Sequence, residues 1–157
     1  MRIIGIDPGT GILGFGIIEV IKGKPQLVDG GVIRTPVKED DAVRLLTIYD
    51  ELTHIIKDTN PTEMAVEKLF FAQNVTTAIT VAQARGVVLL TGMQSGLKIA
   101  EYTPLQIKQA LTGYGRAEKK QIQEMVRVIL GLKEVPKPDD CADALAAAIT
   151  HSMTNHR

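Results

Sequence analysis

Asp140 and Asp143 stand three residues apart, so on a helix their carboxylates share one face. The residues around them, Cys141, Ala142, Ala144 and Leu145, are small or apolar, which implies that this face is at least partly buried. Two further acids occupy odd places. Asp7 closes the run Ile-Gly-Ile-Asp-Pro-Gly, and Glu67 interrupts the apolar stretch Ala-Val-Glu-Lys-Leu. Buried carboxylates cost several kcal/mol unless a positive partner satisfies them. No lysine or arginine follows the Asp140/Asp143 pair before Met153. A divalent ion is the natural counter-charge, and all-oxygen ligation favours Mg²⁺ or Mn²⁺ over zinc. Two such ions about 4 Å apart can activate water and stabilise a leaving oxygen, which is the chemistry of phosphodiester cleavage.

Each acid also has an ordinary reading. Asp139 and Asp140 at a helix start are suited to capping. Asp7 before Pro-Gly is compatible with turn chemistry alone. Asp143, a turn further in, has no capping role, and Glu67 in the middle of a strand is the hardest to explain structurally. The four together are far more specific than any one, although spacing does not choose between Asp139 and Asp140 as the partner of Asp143.

The elements that must position these acids follow from apolar periodicity. Arg2 to Asp7, Phe15 to Ile21 and Gln26 to Arg34 are short β-branched runs separated by turn residues, an antiparallel meander. Asp40 to Asp58 switches to helical spacing, with Asp40 or Asp41 as cap and Asn60-Pro61 as breaker. Met64 to Leu69 is a strand carrying Glu67, and the intervening helix makes it parallel to an earlier strand. Thr76 to Met93 is a helix apolar over much of its circumference, to be buried against the sheet or a partner, with Gly92 and Gly96 ending it. Lys98 to Tyr102 is a fifth strand, Pro104 opens a helix, and Gly113-Tyr114-Gly115 is a flexible loop. Glu118 to Leu130 is amphipathic. Val135 to Pro138 is an extended linker into a last helix, Asp139 to Met153.

The chain of 157 residues fits one domain, with 45% apolar residues to fill a core. Its 18 basic and 18 acidic side chains cancel, which argues against disorder but not against nucleic acid, where distribution matters more than the sum. Residues 98–133 hold seven Lys/Arg and three Glu, either a phosphate-facing surface or a solvated helical face. The lone Cys141 excludes a disulfide framework. Asp7 cuts the first apolar run, so there is no signal peptide, and no stretch reaches the roughly 20 apolar residues of a membrane span. A soluble cytoplasmic protein, with no membrane partner, is the expectation.

Gly9-Thr10-Gly11-Ile12-Leu13-Gly14 matches the dinucleotide fingerprint G-x-G-x-x-G, but that motif needs a helix to begin there. Phe15 to Ile21 is a strand, so the glycines are read as a tight hairpin that keeps space open beside Asp7. The same opening resembles the phosphate loop of sugar kinases and actin-like ATPases, which need two lobes where this chain has room for one.

Six stretches in order carry a sharper resemblance: Gly5-Ile6-Asp7-Pro8-Gly9, Glu67-Lys68-Leu69-Phe70-Phe71-Ala72-Gln73-Asn74, Ala82-Gln83-Ala84-Arg85-Gly86-Val87, Ile107-Lys108-Gln109, Ala117-Glu118-Lys119 and Asp143-Ala144-Leu145-Ala146. Along nearly all its length the sequence resembles the RuvC family of Holliday (crossover) junction endodeoxyribonucleases. The resemblance implies an α/β, RNase H-like fold, a five-stranded mixed sheet flanked by helices, as a single nuclease domain over 1–157. It implies a homodimer acting on four-way junction DNA by paired symmetric nicks, with a role in homologous recombination and repair, two Mg²⁺ per subunit (Mn²⁺ substituting), and partnership with a junction-binding protein and a branch-migration motor. Asp7, Glu67, Asp140 and Asp143 match the family's metal-binding acids, Lys108 and Lys119 its supporting lysines, and Phe70 its base-stacking aromatic. Lys120 and Arg116 are further DNA contacts by their position among these. The helix from Thr76 to Met93 is the candidate dimer surface. Asp139 beside Asp140 is more acidic than the family's usual approach to the last helix, so an exchange of ligand between them stays open.

Overall fold

The computed structural model describes residues 1–68 and 75–154. Three antiparallel strands come first: β1 (Arg2–Asp7), β2 (Ile12–Ile21) and β3 (Lys24–Arg34). Helix α1 (Asp41–Thr59) crosses to β4 (Glu63–Glu67), which lies parallel to β1. Helix α2 (Val75–Gln94) crosses to β5 (Lys98–Tyr102), parallel to β4. Helices α3 (Pro104–Thr112), α4 (Lys119–Leu130) and α5 (Asp139–Thr154) complete the chain. The sheet order is β3-β2-β1-β4-β5.

The central strands bury both faces, which is why they read as continuous apolar runs rather than as alternation. On one face Ile4, Ile6, Met64 and Val66 pack under Ile48, Leu52 and Ile56 of α1 and Ala84 and Val88 of α2. On the other, Ile3, Ile18, Ala65 and Tyr102 pack under α3, α4 and α5 through Ile107, Leu111, Ile122, Val126, Leu145 and Ile149. Strand periodicity therefore puts Asp7 with Ile3, and Glu67 with Ala65, on the α5 face.

Local sequence sets the ends. Asn60 in the left-handed region (φ 52°) stops α1 ahead of Pro61. Thr103 and Gln106 form a capping box around Pro104 at the start of α3, and Gly113 (φ 73°) closes that helix. Within the Gly113-Tyr114-Gly115 loop, Tyr114 N donates to Thr112 Oγ1 at 3.1 Å. Asp40 takes the N-cap position of α1, but its side chain makes no capping bond.

Two expectations change in kind. Gly92 does not end α2; it lies within the helix, where a β-carbon would stand 2.9 Å from Met64 Sδ, so it is a packing residue. Helix α2 is long and apolar enough, by length and composition alone, to cross a membrane. In the fold it lays Ala84, Val88, Thr91 and Gly92 inward and leaves Val75, Ile79, Leu90 and Met93 at least half exposed.

Candidate active site

Helix α5 reaches the sheet across a seam of glycines, and this approach sets the site. A β-carbon on Gly5 of β1 would lie 1.9 Å from the Ala144 carbonyl oxygen, and one on Gly14 of β2 would lie 2.0 Å from that of Asp140. Either contact would force the helix away. Gly14 is also the register partner of Asp7. Its role therefore differs from the sequence reading: the space beside Asp7 is taken by the backbone of α5, so that carboxylates on the helix meet carboxylates on the strands.

Asp7 is the last residue of β1 and Glu67 the last of the neighbouring parallel strand β4. Glu67 thus stands at the tip of its strand, half-buried, rather than in the middle, and the chain's own strand geometry aims both acids at the carboxyl edge of the sheet. Asp7 hydrogen-bonds Glu67, and its carboxyl is pushed up to about 9, chiefly by burial, then by the charges of Glu67 and Asp143, with Asp140 adding a smaller push. Burial also raises Glu67, against the hydrogen bond from Asp7 and the attraction of Lys119 and Lys108. Burial and mutual repulsion therefore favour a bound proton within the Asp7–Glu67 pair. Asp143 is raised by burial first, with the nearby Lys119 pulling the other way and Asp140 and Asp139 adding to the rise.

The counter-charge that α5 lacks comes from α4. Lys119 Nζ lies 3.6 Å from Asp143 Oδ2 and 3.3 Å from Asp139 Oδ2. Burial alone would lower the Lys119 pKa, but the two carboxylates outweigh it and raise it. Asp139 is exposed, and its other oxygen accepts from Gln123 Nε2 at 3.0 Å, so it is engaged with α4. A cleft of about 270 Å³ opens on the cluster, lined by Glu67, Lys108, Lys119 and Asp143 over an apolar floor of Pro104, Ile107, Ile122 and Ala146.

The structure thus brings Asp7, Glu67, Asp143, Lys108 and Lys119 together, with Asp140 close enough to act on Asp7 and Asp143 through its charge. Lys120 lines a separate hollow with Leu111, Thr112 and Glu124, and Arg116 is exposed on the connection between α3 and α4. Neither enters the cleft. Phe70 lies outside the described residues. Sequence reasoning missed the glycine seam, for which the signal was present: Gly5, Gly14 and Gly16 fall at alternate positions on strands that must face one helix.

Among the described residues, no three acidic, histidine or cysteine side chains are already closed around one point as in a structural metal cage. The site still fits a divalent cation. Its donors are carboxylates, and more of them converge than Lys108 and Lys119 can neutralise. Magnesium binds through one or two carboxylates together with waters and substrate phosphate, not through a ready-made protein cage.

A mixed sheet in this order, with carboxylates at the tips of adjacent strands under a closely packed helix, defines an RNase H-like domain. The chain belongs to the RuvC family: the model of crossover junction endodeoxyribonuclease RuvC matches residues 3–151. It is 56% identical over 156 residues to the crossover junction endodeoxyribonuclease RuvC of Heliobacterium modesticaldum, covering 98% of this chain and 96% of that one. Among solved structures, Thermus thermophilus RuvC is 40% identical with a TM-score of 0.92, over 99% of this chain and 96% of that one. The same protein in complex with Holliday junction substrate is 39% identical with a TM-score of 0.93, over 99% and 94%.

Proposed function

We propose that this chain is a single-domain, metal-dependent endonuclease that resolves four-way DNA junctions. The observation that carries this is the convergence of Asp7 and Glu67, at the tips of adjacent strands, with Asp143 and two lysines, in a chain with this family membership. A carboxylate set that must take up protons when left alone is one built for a cation.

Asp7, Glu67, Asp140 and Asp143 would hold the ions, Mg²⁺ by preference and two per subunit, with Mn²⁺ able to substitute. When bound, they supply the Lewis acidity and counter-charge that phosphodiester hydrolysis needs. The chain's own residues do the rest. Asp7 and Glu67, both raised by burial, would have to be ionised to serve as ligands. Lys119, held by Asp143 and Asp139, and Lys108, which also lines the cleft, would offset charge on the phosphate as it passes to the transition state. The apolar floor of Ile107, Ile122 and Ala146 keeps bulk water from the back of the cleft and strengthens each of these interactions.

Arg116 and Lys120 lie outside the cleft and would hold flanking backbone rather than the reacting phosphate. Phe70 would stack on a junction base. The exposed apolar face of α2, through Val75, Ile79, Leu90 and Met93, is the surface for a second copy, so that two sites cut two like strands and leave ligatable 5′-phosphate and 3′-hydroxyl ends. A cytoplasmic setting, recombination and repair, and cooperation with a junction-binding protein and a branch-migration motor belong to the same reading.

The test is a gel assay of cleavage on a four-way junction, a plain duplex and RNA, each with and without Mg²⁺. The expected result is metal-dependent paired nicking of the junction alone. Comparable cleavage of plain duplex would overturn junction selectivity, and junction binding with no metal-dependent nicking would overturn catalysis.

A further inference from the structure

Four arginines of the described chain are half-buried, and three of them meet a carboxylate. Arg2 pairs with Glu19 at 3.2 Å, Arg127 with Glu124 at 2.5 Å, and Arg85 with Glu101. Arg44 is the exception. Its Nε donates to Thr35 Oγ1 at 3.0 Å, and among the described residues no carboxylate stands within ion-pair distance of it, not even Asp40 or Asp41 at the start of its own helix. A guanidinium taken partly out of water without a counter-ion is a recurring arrangement for receiving an anion from outside.

Its surroundings fix it in place. Thr35 is buried, donates its hydroxyl to the Thr10 carbonyl, and sends its backbone N–H to Gly11 O at 3.0 Å. The guanidinium therefore lies on the loop 8–11, so close that a β-carbon on Gly11 would stand 3.2 Å from Nη2. With Nε committed, the Nη groups are left for a ligand. The same loop also holds a donor without an acceptor, since the Thr10 hydroxyl is buried and unbonded. This loop begins at the residue after Asp7, at the carboxyl edge of the sheet where open α/β folds take their ligands. Arg44 reaches it from α1, on the face of the sheet opposite to α5, so its contact lies outside the cleft of Lys108 and Lys119.

We propose that Arg44, pinned by Thr35 over the loop that follows Asp7, is a phosphate-binding residue that grips the backbone of the DNA strand beside the phosphodiester to be cut. This rests on the junction-resolving reading above. The contact is to phosphate and carries no base preference; it sets where along the strand the cleft sits.

The test is junction binding by the full chain in EDTA, so that nothing is cut, measured across a range of salt. The wild type must first bind the junction with a steep loss of affinity as salt rises; if it does not, the junction reading itself fails. Given that binding, Arg44→Gln should make the slope of log K against log salt shallower by about 0.9, one phosphate's worth. Arg44→Lys, which keeps the charge, should retain the wild-type slope. A slope for Arg44→Gln equal to the wild type's would overturn the proposal.

If Arg44→Gln proves poorly folded, the DNA side decides. Neutral methylphosphonates placed singly at the positions flanking the cleavage site should include one that weakens wild-type binding but leaves Arg44→Lys more weakly affected, because only the guanidinium fork meets two phosphate oxygens at once. Wild type and Arg44→Lys responding alike at every position would also overturn it.

Discussion

β4 carries two glutamates on the same face, one at each end, and the fold treats them in opposite ways. Glu63 accepts from His151 Nε2 at 2.5 Å, and the other ring nitrogen, Nδ1, meets the Tyr102 hydroxyl at 2.7 Å. A carboxylate only accepts, so Nε2 carries the proton and the tyrosine donates to Nδ1. The chain Tyr102–His151–Glu63 is largely buried and pairs its donors with acceptors of the same chain. Glu67, at the other end, has no such hydrogen-bonding base among the described residues: it shares a hydrogen bond with another acid, Asp7, under the field of a third, with only the attraction of Lys119 and Lys108 against it. Helix α5 spans both ends, with His151 two turns beyond Asp143. A carboxylate that serves the fold is matched from within the chain, whereas one that serves chemistry is left with a deficit that something from outside makes good.

That contrast can be broken most forcefully at Asp7. Asp7→Asn removes the acid nearest the centre of the cluster while keeping its shape. Junction cleavage should fall by about a thousandfold or more, with junction binding retained. Cleavage within tenfold of wild type, measured by single-turnover nicking in Mg²⁺, would remove Asp7 from the site.

Gly14→Ala attacks what holds the two sets of acids together. Its methyl would sit 2.0 Å from the Asp140 carbonyl oxygen, so α5 must lift at its first turn. Overpacking of this kind costs about 1–3 kcal/mol, and the shift of Asp140 and Asp143 by even 1 Å should lower cleavage by about a hundredfold. Thermal melting and nicking are the two readouts. If the variant melts lower but cuts as the wild type does, the seam supports the fold without positioning the acids.

The elements themselves were legible from the sequence because their signals are local. Asn60-Pro61, Pro104 and the β-branched runs placed the strand and helix limits within a few residues, and the change of period at Asp40 marked the crossover that makes β4 parallel to β1. The candidate acids were legible because apolar neighbours made them costly. Less was legible where the cause is non-local. Apart from the family resemblance, the sequence shows Lys119 as one charge in a basic stretch; its contacts with Asp143 and Asp139 arise because α4 packs beside the start of α5. Likewise Gly92 looks like a helix stop until Met64 and Ile99 are seen beneath it, and Glu63 looks like a strand-end surface residue until His151 arrives from the far end of the chain.

At the balanced end of β4 the expected effect is on stability alone. His151→Ala strips Glu63 and Tyr102 of a buried partner, and unsatisfied buried groups of this kind cost roughly 2–4 kcal/mol. The melting temperature should fall by about 8 °C or more, while the protein that remains folded cuts junctions within a few-fold of wild type. A thousandfold loss of cleavage in well-folded His151→Ala would erase the distinction between the two ends, since the Tyr102–His151–Glu63 chain would then belong to the chemistry as well.

The smallest effect tests the deficit itself. The Asp7 carboxyl titrates at about 9 in the folded chain against an ordinary value of 3.8. Between those values the folded state binds a proton that the unfolded state has released, so stability falls as pH rises. The contribution is fully present below pH 3.8 and gone above about 9. In EDTA, therefore, wild-type stability should decline on going from pH 5 to pH 8. Asp7→Asn should lack that part of the decline and melt about 5 °C higher than wild type at pH 8, the shift expected for roughly 2 kcal/mol in a chain of this size. Added Mg²⁺ should reverse the order, stabilising the wild type and leaving Asp7→Asn nearly unmoved, because ions that bind the folded state alone stabilise it by mass action. Equal melting of the two proteins in EDTA at pH 8 would mean that Asp7 carries no electrostatic strain, and that the two ends of β4 do not differ in the way the structure describes.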